Sequence, residues 1–234
     1  MSDETRVAVV TGASRGIGRA TVELFRREGV RAIGLARGFD DSESTRKCDV
    51  TDEREVASVF AELMSVYGRL DILVNCAAIT SRTDPLSITV DEWEAIYRTN
   101  VIGTYLCTRE AIRAMKPRKY GKVVNVSSIA GRSYSRTASA AYTCSKYAVI
   151  GLTRHLAAHF GSEGINVNCV CPAQTRTETL VANVPSAELD ALATTIPLGR
   201  IAEPDEIAQA ILFLASDAAS YLNGAIVDIN GGQL

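Results

Sequence analysis

Tyr142 and Lys146 stand four residues apart in the run Ala141-Tyr142-Thr143-Cys144-Ser145-Lys146. On a helix that spacing puts both side chains on one face. A free phenol, with a pKa of about 10, is a poor acid or base at neutral pH. An ammonium beside it favours the phenolate, so such a pair can give a proton to an oxygen or take one back. Ser127 and Ser128 lie upstream, at the end of the apolar run Val123-Val124-Asn125-Val126. A hydroxyl there can hold a carbonyl oxygen and polarise it. Tyr-x-x-x-Lys alone recurs on helices by chance, so its meaning depends on what the rest of the chain brings to it.

A second group is built for phosphate. Thr11-Gly12-Ala13-Ser14-Arg15-Gly16-Ile17-Gly18 joins an apolar run, Val7 to Val10, to an amphipathic one. Glycines at 12, 16 and 18 let the chain turn tightly and bring backbone N–H groups to a pyrophosphate, and the following helix adds its dipole. A strand before and a helix after are the context such a turn needs. An NAD site puts a carboxylate about 20 residues further on, at the end of the second strand, to take the ribose hydroxyls. That position is Ala36, followed by Arg37. No acid there repels a 2′-phosphate, and a planar cation is ready to pair with it; Arg15 is a second one. NADP(H) is therefore expected in preference to NAD(H), with Asp40 and Asp41 close by.

The elements that must position these groups follow from patterning. The continuous apolar run at 7–10 predicts a strand covered on both faces, and further strands are predicted at 31–36, 46–50, 70–75, 122–127, 165–171 and 225–229. Between them lie predicted helices at about 18–28, 52–67 (capped by Asp52 and closed by Gly68), 91–117 (capped by Asp91 and ended by Pro117), 141–160 and 205–216. Alternation of this kind predicts an α/β fold: a Rossmann-type, doubly wound, seven-stranded parallel sheet with helices on both faces, in a single domain over 1–234. The stretch from about Thr175 to Arg200 has no strand and follows a strand's carboxyl end, where ligands bind in such sheets, so it is expected to cover the substrate.

With the motifs in this order the chain resembles the classical short-chain dehydrogenase/reductase family, over practically its whole length from Arg6 to Leu234. Thr11–Gly18 resembles that family's cofactor turn, and Tyr142 and Lys146 its acid–base pair. Val124-Asn125-Val126-Ser127-Ser128-Ile129-Ala130-Gly131 aligns Ser128 with its catalytic serine, leaving Ser127 the weaker candidate. Asn100, in Arg98-Thr99-Asn100-Val101, matches its helix asparagine, which implies a water held for a proton relay with the lysine through a local break in helix hydrogen bonding. Asp49 matches an adenine-contacting acid. Asn75-Cys76-Ala77-Ala78 stands where the family has Asn-Asn-Ala-Gly, keeping the first Asn. Pro172-Ala173-Gln174-Thr175-Arg176-Thr177 resembles the segment over the nicotinamide, with Ala173 for the usual Gly, and Asn230-Gly231-Gly232 matches the family's ending. The implied cofactor contacts are Gly12, Ser14, Arg15, Gly16, Ile17, Gly18, Arg37, Asp49, Val50, Asn75, Ala77, Tyr142, Lys146, Pro172, Thr175 and Thr177. The implied catalytic residues are Asn100, Ser128, Tyr142 and Lys146.

The activity implied is NADP(H)-dependent hydride transfer between nicotinamide and a carbonyl or secondary alcohol. The likeness is greatest to 3-oxoacyl-carrier-protein reductases, with sugar, polyol or keto-sugar dehydrogenases as the alternative. A non-enzymatic nicotinamide-binding sensor or scaffold typically lacks the Tyr or the Lys, and nucleotide-sugar epimerases or dehydratases usually carry a larger C-terminal substrate region. Arg82, Arg132, Arg136 and Arg176 in the variable loops predict a polar, anionic substrate, small or carrier-linked. The 234 residues carry 25 Lys and Arg against 27 Asp and Glu, so bulk charge gives no reason to bind nucleic acid or an anionic membrane. No apolar run reaches the roughly 18 residues of a spanning helix. The polar start Met1–Arg6 shows no secretory signal, and the six cysteines form no CxxC pair, which together predict a cytoplasmic protein with reduced thiols. His155 and His159 lack acidic or Cys partners for a metal. The family implies a homotetramer or homodimer, with faces such as Ala148-Val149-Ile150-Leu152 and Ile211-Leu212-Phe213-Leu214 as candidate contacts.

Overall fold

Every run named above contributes a strand, the central ones buried on both faces and the edge strands only in part. The computed structural model describes residues 5–135 and 137–234; the expectations for Met1–Glu4 and for Arg136 lie outside them. Strands β1 (Val7–Thr11), β2 (Arg31–Ala36), β3 (Thr45–Lys47), β4 (Ile72–Asn75), β5 (Gly121–Val126), β6 (Ile165–Pro172) and β7 (Ile226–Ile229) form one parallel sheet in the order β3-β2-β1-β4-β5-β6-β7. The order reverses between β1 and β4, which opens a crevice beyond their carboxyl ends. Helices α1 (Gly16–Arg27), α2 (Glu53–Tyr67), α3 (Val90–Tyr97), α4 (Thr104–Met115), α5 (Ala140–Phe160), α6 (Glu178–Asn183), α7 (Ser186–Thr194) and α8 (Pro204–Leu214) complete the fold.

Alternation along each strand divides the core in two. Val9, Ile33, Leu73, Val123 and Val167 pack with Phe60, Ile112 and Met115 on one face. Ala8, Val10, Ile72, Val124 and Val170 pack with Phe25, Ile207 and Ile211 on the other. Within the two candidate contact stretches Val149, Ile150, Ile211 and Leu214 are core residues, while Phe213 is half exposed.

Three boundaries differ from the sequence reading. β3 is shorter and earlier than 46–50, because the Asp49 side chain accepts from the Thr51 N–H and hydroxyl and bends the chain out of the sheet. The long helix predicted over 91–117 is interrupted by a π-helical turn, Arg98–Gly103, and capped by Thr89 rather than Asp91. The stretch 175–200 holds α6 and α7, whose side chains pack on one another: Val184, Leu189, Leu192, Ile196 and Ile201 form a small core of their own.

The amino ends of three strands are tied at one carboxylate. Asp71, just before β4, is fully buried and accepts from the Val7 N–H (2.8 Å), from Arg69 through Nε and Nη2 (2.8 Å each) and from Arg118 Nη1 (2.8 Å). Its backbone pairs with Val7 of β1 and Lys122 of β5. Burial pushes its pKa up, but the Arg69, Val7 and Arg118 donors outweigh that and hold the carboxyl below its ordinary value.

Candidate active site

A cavity of about 700 Å³ lies in the crevice above the carboxyl ends of β1, β4 and β5. Its floor is the glycine turn. Gly12 has φ +65°, and a Cβ there would meet the Ala77 backbone at 2.8 Å. A Cβ on Gly18 would meet the carbonyl carbon of Gly12 at 2.8 Å. The turn can close only without side chains at these points. Thr11 fixes the neighbouring loop beneath it, its hydroxyl accepting from the Cys76 and Ala77 N–H groups (3.1 Å each). The helices α2, α3 and α5 have side-chain caps from Asp52, Thr89 and Ser139; α1 has none, and its end opens on the cavity. The Gly16 N–H of this end is met by the Glu178 carboxylate (2.9 Å), and such a cradle of N–H groups fits a diphosphate.

Ser14, Arg15, Gly16, Ile17, Arg37, Asp49, Val50 and Ala77 line the same cavity. Arg15 and Arg37 are exposed at one end of it, and among the described residues neither is seen in an ion pair. Asn75 does not line that cavity. Its side chain turns away from the cavity, donating to Thr108 Oγ1 (2.9 Å) and Asn125 Oδ1 (2.8 Å), while Asn125 donates to Thr153 (2.9 Å). It braces β4 and β5 against α4 and α5, where a buried amide needs such partners.

At the other end of the cavity stand Ser128, Tyr142 and Lys146. Ser139 caps α5 and also bonds Ser81 through its hydroxyl (2.9 Å), which fixes where Tyr142 starts its turn. Lys146 Nζ lies 5.5 Å from the centre of the Tyr142 ring and donates to the Val126 carbonyl (2.9 Å). The two serines separate clearly. Ser127 is buried and its hydroxyl is committed to the Lys146 carbonyl (2.8 Å). Ser128 is partly exposed, accepts from the Ala130 N–H (3.1 Å) and keeps its own proton for the cavity.

Asn100 sits in the π-helical turn, buried. Its Oδ1 accepts from the Ile79 N–H (2.8 Å), and Nδ2 donates to the Ile79 carbonyl (3.0 Å) and to Ser145 Oγ (3.0 Å), which in turn donates to the Tyr142 carbonyl (2.7 Å). Both amide hydrogens are used, so the side chain offers a water no donor. These bonds tie the loop after β4 to α5, and the π-helical turn is the local break in helix hydrogen bonding that the resemblance implies.

Beyond β6, Pro172, Thr175 and Thr177 also border the cavity. Thr175 pairs with Ala202, and Thr177 caps α6. Gln174 borders it too, and its Oε1 is buried without a hydrogen-bond partner. Sequence reasoning missed it, since a lone Gln in a loop carries no signal. The arginines expected near the substrate are paired with carboxylates where they are described. Arg82 is held by Glu188 (2.8 Å) and the Asn183 carbonyl, Arg132 by Asp228 (2.9 Å) and Arg176 by Glu203 (3.2 Å). Arginines already paired with carboxylates make no case for an anionic substrate.

Among the described residues no group of three or more His, Cys, Asp or Glu gathers as a metal site, and no helix is long and apolar enough to cross a membrane. His155 and His159 stack on each other along α5. Burial pushes the Cys48 and Cys76 thiols up to about 12, which keeps them protonated.

Comparison with known proteins agrees with this geometry. A family model described as enoyl-(acyl carrier protein) reductase matches residues 12–233. The cis-4-hydroxycyclohexanecarboxylate dehydrogenase of Sinomonas cyclohexanicum is 39% identical over 97% of this chain and 96% of its own. The 3-oxoacyl-[acyl-carrier-protein] reductase of Thermotoga maritima is 34% identical over 98% of each. The solved structure of ElxO with NADP bound superposes with a TM-score of 0.92 at 30% identity, over 98% of both chains. The chain belongs to the short-chain dehydrogenase/reductase family and is an oxidoreductase of the carbonyl/secondary-alcohol class.

Proposed function

We propose that the protein uses NADP(H), in preference to NAD(H), to interconvert a polar ketone of 3-oxoacyl type and its secondary alcohol. The observation that carries the reading is the meeting of the glycine cradle with Ser128, Tyr142 and Lys146 in one cavity. Bound nicotinamide supplies or accepts the hydride. Ser128 donates a hydrogen bond from its hydroxyl to the substrate oxygen and orients it. Tyr142 gives that oxygen a proton in reduction and takes it in oxidation, with Lys146 beside its ring. Asn100 keeps the wall of the cavity in register. Segment 175–200 covers the substrate, whose surroundings would include Thr80, Ser81, Thr137 and Gln174 with Leu180 and Val184. Arg82, paired with Glu188, borders the same region, and the largely polar lining favours a polar keto compound. The 3-oxoacyl and hydroxycycloalkane relatives support the same class of carbon. A homotetramer in the cytoplasm belongs to this reading, supported by the exposed Ile102, Tyr105, Tyr147 and Phe213 side chains.

The test is NADPH oxidation followed by absorbance against a 3-oxoacyl thioester, keto-sugars, keto-acids and apolar ketones. Turnover with the thioester is expected; turnover with keto-sugars alone would move the protein to sugar chemistry. Arg37→Ala is expected to weaken NADPH by roughly ten- to hundredfold, the worth of a charge-assisted phosphate pair. NADH, lacking the 2′-phosphate, should bind the variant as it binds the parent. Equal losses for both cofactors would remove Arg37 from the phosphate.

A further inference from the structure

The open end of α1 is already met by an anion from the chain itself. Arg15, the N-cap residue, makes no side-chain hydrogen bond, and the first turn has no acidic residue. Glu178, at the start of α6, comes instead across the fold. Its Oε2 accepts from the Gly16 N–H (2.9 Å) and its Oε1 from Arg19 Nη2 (2.6 Å). Thr177 packs beside it, so close that a Cβ on Gly16 would meet its methyl at 2.8 Å. A carboxylate here satisfies a helix N–H that has no intrahelical partner and sits at the positive end of the dipole. Those are the features that draw a diphosphate to the same end. Like charges a few ångströms apart repel, more so in a cavity with low-dielectric walls than in water.

We propose that Glu178 is an internal competitor of the cofactor diphosphate: its carboxylate holds the glycine turn until the cofactor displaces it. Glu178 opens α6, so its release unties that helix from the glycine turn. The base of segment 175–200 stays fixed by Thr175 on Ala202 and Arg176 on Glu203, and its middle by Arg82 on Glu188 and on the Asn183 carbonyl. Cofactor entry and loosening of the segment over the cavity are then one event, and the cofactor binds ahead of the substrate. The inference rests on the dinucleotide reading of the glycine turn.

Glu178→Gln keeps the shape and removes the charge. It is expected to tighten NADPH roughly three- to tenfold by fluorescence titration, the scale of one charge at a helix end. Adenosine 2′-monophosphate, which has no diphosphate, should bind both proteins alike. Without any ligand, the variant should be cleaved faster than the parent within 178–200 by a trace of protease, at an unchanged melting temperature. NADPH affinity that is unchanged or weaker in the variant would overturn the competition. If the parent protein binds neither NADPH nor NADH, the dinucleotide reading itself falls and takes the competition with it. Binding by the parent with no gain in Glu178→Gln sinks the competition alone.

Discussion

Tyr142→Phe is expected to lower kcat by roughly a hundred- to ten-thousandfold, the usual worth of a general acid–base group. The phenyl ring keeps the packing at the start of α5 and removes the hydroxyl that faces the cavity. No other phenol is expected to meet the substrate oxygen, and the Ser128 hydroxyl has no strong base beside it to restore its proton. The loss should fall on kcat and kcat/KM together, since the interaction belongs to the transition state rather than to substrate binding. NADPH affinity should stay within about twofold of the parent, because the cradle at Gly12–Gly18 is untouched. A steady-state rate within about tenfold of the parent would assign the proton to another group.

The second large effect is on stability. Asp71→Asn removes the charge on which two arginines and the Val7 N–H converge. Breaking a buried ion pair by taking one partner costs about 3 kcal/mol. For a chain of this size that is a fall in Tm of roughly 6–12 °C. The pH dependence has a definite sign. The folded carboxyl is held below its ordinary value, so its contribution is fully present above about pH 4, the unfolded value. It is lost as pH falls through the lower folded value. Thermal melts of the two proteins should therefore differ most near neutrality and converge in acid. A difference below about 0.5 kcal/mol at neutral pH would show that the arginines are satisfied without Asp71.

The sheet was legible because its central strands are short, largely apolar segments buried on both faces, such as Val7–Thr11 and Ile72–Asn75. The glycine turn and the Tyr142–Lys146 pair were legible because their chemistry lies in local spacing. What the sequence hid depends on distant partners. Asn75 reads as a cofactor contact until Thr108 and Asn125, far along the chain, take its amide hydrogens. Arg82, Arg132 and Arg176 read as free cations until Glu188, Asp228 and Glu203 come to them across the fold. The π-helical turn at Asn100 leaves the apolar periodicity of its helix nearly intact, so patterning runs straight through it and the break is implied by the family resemblance alone. Choosing Ser128 over Ser127 from alignment agrees with the geometry, but the reason, that Ser127 is tied to the Lys146 carbonyl, is a tertiary fact.

The small core shared by α6 and α7 separates two kinds of selection. Val184, Leu189, Leu192, Ile196 and Ile201 are buried against each other and not within the two cores that hold the sheet. Replacements among them cost the stability of that cassette and leave the scaffold's own ledger nearly untouched. Substrate preference can therefore drift through 175–200 while the proton-transfer geometry stays fixed. For an engineer, the same partition makes this segment the first candidate for grafting between relatives, provided Glu178 and Glu188 are carried with it to meet Gly16 and Arg82.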